Sequence, residues 1–198
     1  MRIGRAGKAL LVIGTTTAAI SLPEAAVASA KPGAVPTPAV TCSVSGTASF
    51  SNTGEPQQGI NYVPRNVTVA GFATAQSCVD SRGDKTATDG HSVIGYTDRF
   101  SGSFPSSSCV SAGGTLSLAI TWILDNGSTR TTRVLENFQR GNIFEDLPGA
   151  GIATKGLFAG ALFESNAFLD NPVSHALECA TDAGVTDTGF TSTITVLQ

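Results

Sequence analysis

Residues 115–128 read TLSLAITWILDNGS, and this stretch decides the fold class. Leu116, Leu118, Ile120, Trp122 and Leu124 occupy successive even positions, interleaved with Thr115, Ser117, Ala119 and Thr121. Side chains alternate faces along a strand, so all five large side chains share one face and are the predicted core. Asn126-Gly127 follows, a strong hairpin signal because both residue types tolerate positive φ. Residues 129–138 then return as the partner strand, with Arg130 and Arg133 set among threonines.

The same period of two recurs on either side. Cys42, Val44, Gly46, Ala48 and Phe50 alternate with Thr41, Ser43, Ser45, Thr47 and Ser49, the pattern of a half-buried strand. Further strands are expected over residues 66–74, 92–104, 154–163 and 190–197. The segment 92–104 places Ile94, Tyr96, Phe100 and Phe104 on one side. Residues 51–64, 79–90 and 139–151 carry the Gly, Pro and Asp punctuation of loops. Residues 164–184 fit no period well, with at most a turn of helix before Asn171-Pro172. No stretch beyond the leader has a helical period. The expected fold is therefore all-β, a single antiparallel β-sandwich or small β-barrel of about seven to eight strands.

The N-terminal region differs in composition. Arg2, Arg5 and Lys8 precede an apolar run over residues 9–20, and Ala28-Ser29-Ala30 ends it with small residues. These are the three parts of a secretory signal peptide, with cleavage expected after Ala30. The run rises only about 18 Å as a helix, short of a ~30 Å hydrocarbon core. Residues 31–40 (KPGAVPTPAV) carry three prolines and suit an extended linker. Residues 41–198 then form one disulfide-bonded β-domain, with no membrane span in the mature chain. The chain has 12 basic and 15 acidic residues, a net charge of −3. Removing Arg2, Arg5, Lys8 and Glu24 with the leader makes the exported part more acidic still. That balance excludes nucleic acid and anionic lipid as natural partners, since both demand basic patches.

Cys42, Cys78, Cys109 and Cys179 are an even set, all beyond the leader. In an oxidising compartment they read as two disulfides. A zinc site is disfavoured because no pair has C-x2-C spacing, and His91 and His175 are the only histidines. The favoured pairing is Cys42–Cys78 with Cys109–Cys179, because an antiparallel hairpin brings the first two to the same end. Cys42–Cys109 with Cys78–Cys179 stays open.

Thr41-Cys42-Ser43-Val44-Ser45-Gly46-Thr47, Leu118-Ala119-Ile120-Thr121-Trp122, Gly156-Leu157-Phe158-Ala159-Gly160 and a late cysteine before a Thr-rich closing strand form a further pattern. Together they resemble a group of uncharacterised small secreted actinobacterial β-domain proteins. The resemblance spans most of residues 41–198 and implies a secreted β-domain without assigned catalytic residues. The chain departs from it in longer charged loops near residues 79–90 and 139–152.

Candidate chemistry is sparse. Only His91 and His175 could serve a Ser/His/Asp hydrolase, and no G-x-S-x-G elbow is present. Asp89-Gly90-His91-Ser92 sits where a turn before a strand belongs, so His91 is expected to be a loop histidine. Glu136, Glu145, Asp146 and Glu164 could supply a glycosidase pair, but they are expected to be solvated loop or strand-edge charges. Asp80, Asp84 and Asp89 lack the spacing of a calcium loop. Asn66 and Asn126 open N-x-S/T sequons that are expected to be coincidental in a chain with a bacterial-type leader. Among Trp122, Tyr62 and Tyr96, Tyr62 is the aromatic expected at the surface. These readings predict no cofactor, no metal and no catalytic residue. The expected function is that of a secreted, non-catalytic domain binding a glycan, small molecule or protein at the cell envelope. The competing expectation is a secreted hydrolase using loop acidic residues or His91.

Overall fold

The computed structural model describes residues 35–198, so the signal peptide and residues 31–34 of the linker lie outside the described residues. Eight strands follow in chain order: β1 (Pro38–Asn52), β2 (Arg65–Asp80), β3 (Val93–Ser107), β4 (Ala112–Leu124), β5 (Thr129–Gly141), β6 (Leu147–Gly156), β7 (Leu162–Leu169) and β8 (Asp187–Leu197). Each pairs antiparallel with its sequence neighbour, and β1 pairs with β8, which closes an up-and-down barrel. Closure removes both sheet edges, the surfaces on which an open sheet would aggregate. One short helix, α1 (Pro172–Cys179), lies between β7 and β8.

The interior follows from the alternation. Leu116, Leu118, Ile120, Trp122 and Leu124 are all buried, and the Ser and Thr residues between Cys42 and Phe50 face outward. Apolar side chains turned in and hydroxyls turned out are the reverse of a transmembrane barrel, whose apolar band faces lipid. No helix among the described residues is long and apolar enough to cross a membrane.

The barrel has two unlike halves. Toward the end that holds the chain's first strand residues, Trp122 packs edge-on against Tyr96 (5.2 Å between centroids) and Phe158 (5.1 Å), and tilted against Phe163. Its indole N–H donates to Thr132 Oγ1 at 2.8 Å, so the one polar atom of the side chain is satisfied. The Arg82 guanidinium lies 5.4 Å above Phe158 and donates two hydrogen bonds to Asp80, at 2.9 and 2.7 Å. This buried pair closes that end. At the opposite end the loop after β1 closes over the barrel. Ile60 forms a bridge with Val185, and Asn61 O accepts from Cys109 N–H at 2.9 Å.

The disulfides serve these two ends. Cys42 and Cys78 are directly opposed on β1 and β2, with 4.2 Å between their Cα atoms. Cys109, in the turn after β3, is bridged to Cys179 at the end of α1 and ties the helix to the closed loop end.

Several local expectations are corrected. Ile94 does not share a face with Tyr96: the register shifts between Val93 and Gly95, which turns Ile94 outward. The segment 154–163 is not one strand, because Gly156 and Gly160 adopt positive φ (94° and 87°) and turn the chain between β6 and β7. Residues 147–151 belong to β6 rather than to a loop, and Pro38, Ala39 and Val40 belong to β1 rather than to a linker. The helix lies after Asn171-Pro172, with Pro172 at its first turn, where a missing N–H costs nothing. The hairpin after β4 forms as expected, but only Gly127 takes positive φ (80°). Its N–H donates to Leu124 O at 2.9 Å, a three-residue loop ending in a left-handed glycine.

Candidate functional site

The half of the barrel away from Trp122 is not filled. Small residues on β1 and β2 widen it: Ala48 and Ala73 line a cavity of about 80 Å³, together with Phe100, Leu118, Phe138 and Phe190. Two of these rings cover glycines. A Cβ on Gly46 would lie 2.7 Å from the Phe190 ring, and one on Gly71 would lie 2.5 Å from Phe100. The rings themselves meet edge-on at 5.8 Å. Phe100, Phe138, Leu169 and Ser192 face inward yet stay partly accessible, as walls of an unfilled space do.

Two carboxyl groups, Asp98 from β3 and Glu136 from β5, also line this space, and both are buried at 5% and 3% exposure. Burial pushes Asp98 up from an ordinary 3.8 to about 7, opposed by the Ala119 and Arg99 N–H groups and reinforced by the charge of Glu136. Ala119 N–H donates to Asp98 Oδ1 at 3.1 Å. Burial likewise raises Glu136, opposed by the Ser165 hydroxyl, which donates to Glu136 Oε1. Gly149 makes room for that contact, since a Cβ there would lie 2.5 Å from Ser165 Oγ and 2.7 Å from Glu136 Oε1. The Tyr96 hydroxyl is fully buried without a hydrogen-bond partner. Burial first, and then the charges of Asp98 and Glu136, push its ionisation well above the usual phenol range.

Sequence reasoning missed this pair. Glu136 was expected at a solvated strand edge, but it shares the inward parity of Thr132 and Val134 on β5. Asp98 shares that of Tyr96 and Phe100 on β3. The signal was legible in each strand's alternation, where a single acid interrupts an apolar series.

The other candidates are dispersed. His91 Nδ1 lies 2.7 Å from Asp125 Oδ1, and Ser92 N–H donates to Asp125 Oδ2 at 3.1 Å. These contacts, Ser92 first, hold the Asp125 carboxyl below its usual range. The neighbouring Ser92 hydroxyl is engaged by Lys85 Nζ at 2.7 Å rather than by the imidazole. Glu145 lies in the loop between β5 and β6, at the opposite barrel end from His91, so the two do not share a site. His175 is buried, its ring nitrogens 2.8 Å from Glu178 Oε2 and 2.8 Å from Thr188 Oγ1, which fastens α1 to β8.

Asp80, Asp84 and Asp89 diverge to Arg82, Thr86 and Arg130. Burial opposes ionisation of Asp80, but its hydrogen bonds from Arg82 and Val93 outweigh it and lower the carboxyl. No group of three or more potential metal ligands exists among the described residues. Tyr62 is exposed as expected, while Trp122 and Tyr96 are fully buried, so the three aromatics form no common platform. The side-chain carbonyls of both sequon asparagines accept backbone N–H bonds, Asn66 from Ser106 and Asn126 from Ser128.

Fold and site together define a closed eight-stranded antiparallel barrel, disulfide-bonded, with an apolar interior cavity and two buried carboxyl groups. Comparison with protein-family models, with curated proteins and with solved structures finds no match to this chain.

Proposed function

We propose that this protein is an exported, non-catalytic binding domain that holds a small, mainly apolar molecule inside its barrel. The cavity walled by Phe100, Leu118, Phe138 and Phe190 carries this reading, because a space left open in an otherwise packed core forgoes dispersion contacts on every side. Its volume lies below the ~300–1,000 Å³ of sites for drug-sized ligands, so the occupant is fragment-sized. Export is supported by the three-part leader and by four cysteines joined in two bridges. Among the ligand classes expected from the sequence, a small molecule is favoured over a glycan, since Trp122 and Tyr96 are unavailable for stacking on sugar.

The test is a titration of the oxidised protein with benzene and small alkyl or aryl alcohols, followed by amide NMR. Perturbations should cluster at Phe100, Leu118, Phe138 and Phe190, and should disappear in Ala73→Leu, which fills the space. Shifts confined to outward-facing residues, or no response to any of these molecules, would overturn the proposal.

A further inference from the structure

The charge of the cavity is one-sided. Its titratable lining groups are Asp98 and Glu136, and no Lys, Arg or His lines it. Asp98 accepts from the backbone N–H groups of Ala119 and Arg99, and Glu136 from the Ser165 hydroxyl, so neither has a charged partner. The Tyr96 hydroxyl, close enough to feel both charges, has no partner at all. Leaving an ionised carboxylate in an apolar interior without a counter-charge is costly, so this interior is complementary to a cation or to a strong hydrogen-bond donor. An anion is repelled. Calcium or magnesium asks for six or more oxygen ligands, whereas the rest of this lining is almost entirely apolar.

We propose that the cavity selects a small primary monoamine, an alkyl- or arylalkyl-ammonium ion, with its ammonium group at Asp98 and Glu136 and its apolar body against Phe100, Phe138 and Phe190. The proposal rests on the barrel interior being a ligand site and adds the chemical class of the ligand. An ammonium brings three donors to an acceptor-rich spot. The surrounding rings favour a cation at their faces. A space of about 80 Å³ has room for on the order of five to eight water-sized groups, the scale of butylammonium to benzylammonium.

Proton linkage follows from the same groups. The titratable side chains facing the two carboxyls are each other and Tyr96. Burial favours their protonated forms in the empty barrel, and an entering ammonium favours the ionised forms. Amine binding therefore releases protons, and affinity rises with pH until the carboxyls are ionised without ligand.

The test is calorimetric titration of the full oxidised protein with benzylammonium, benzyl alcohol and benzoate at about pH 8 and about pH 5.5. The expected result is benzylammonium binding at least about tenfold tighter than benzyl alcohol at the higher pH, with benzoate undetected. The amine preference should shrink at the lower pH. Asp98→Asn and Glu136→Gln should each weaken the amine by about tenfold and leave the alcohol within about threefold. Equal or tighter binding of the alcohol to the unmutated protein overturns the amine proposal and leaves the cavity-binding reading standing. Binding of neither, at either pH, removes both. The amine–alcohol comparison needs no variant, so it decides the matter even where a substitution prevents folding.

Discussion

Asp98→Asn is expected to stabilise the protein at neutral pH, and the effect is expected to vanish in acid. The Asp98 carboxyl moves from an ordinary 3.8 to about 7 on folding, because it leaves water for the apolar half of the barrel. A raised carboxyl binds its proton more tightly in the folded state than in the unfolded one. Below the unfolded value both states hold the proton, and the group imposes no penalty. Between the two values the unfolded chain releases the proton and the folded chain keeps it, so stability falls as pH rises. Above the folded value both are ionised and the penalty is constant.

Each unit is worth about 1.4 kcal/mol, so the full penalty is about 4 kcal/mol, reached near neutral pH. Asparagine keeps an acceptor for the Ala119 N–H and has no charge to desolvate. Urea unfolding of native and variant protein at half-unit steps from acid to mildly alkaline pH measures the difference directly. The variant-minus-native stability should grow by up to about 4 kcal/mol across that range and then level off. Glu136 is raised in both proteins and largely cancels in the difference. Asp80 and Asp125 are lowered, so their contributions are lost only as pH falls through and below the ordinary carboxylate range. A difference independent of pH would refute the placement of Asp98 in the barrel interior.

Other outcomes follow from the same packing. Trp122→Ala removes a fully buried ring and its hydrogen bond to Thr132, and should cost about 3–5 kcal/mol in denaturant unfolding. A near-native melting temperature would contradict the register of β4. Replacing Cys109 and Cys179 together by Ser should cost about 2–4 kcal/mol, with the earliest loss of amide protection at α1 and the loop around Ile60. Gly149→Ala should destabilise by about 1–3 kcal/mol through collision with Ser165 and Glu136, and Glu136→Ala should relieve part of it in a double-mutant cycle. Additive effects would mean the two side chains do not meet across Gly149.

Much of the barrel was legible because strand periodicity is local. Leu116 to Leu124 and Cys42 to Phe50 need only their own alternation to be assigned a face. The closing partnership of β1 with β8 joins segments about 150 residues apart, such as Val40 with Val196, and no local pattern encodes it. Hence sandwich and barrel could not be separated from sequence. The errors fell where one residue changes the parity or the direction of the chain. The shift beside Gly95 turned Ile94 outward, and Gly156 with Gly160 folded one expected strand into a hairpin end. Asp98 and Glu136 were missed for a different reason. An acid at an inward position breaks the rule that charges face water, and a reading by residue type discards the parity that placed it.

That violation has company in the same half of the barrel. Gly46, Ala48, Gly71 and Ala73 leave the wall thin where larger residues would add burial, and Gly149 clears space for Glu136. Each feature lowers stability on its own, and a core selected only for stability would fill the space with Leu or Phe. The other half has no such features: Trp122 is hydrogen-bonded, ringed by Tyr96, Phe158 and Phe163, and sealed by Arg82 with Asp80. Local departures from packing rules that converge on one space are where functional sites are expected. Here they converge on two carboxyls within an apolar wall, while the packed half and the two disulfides supply the stability that the open half lacks.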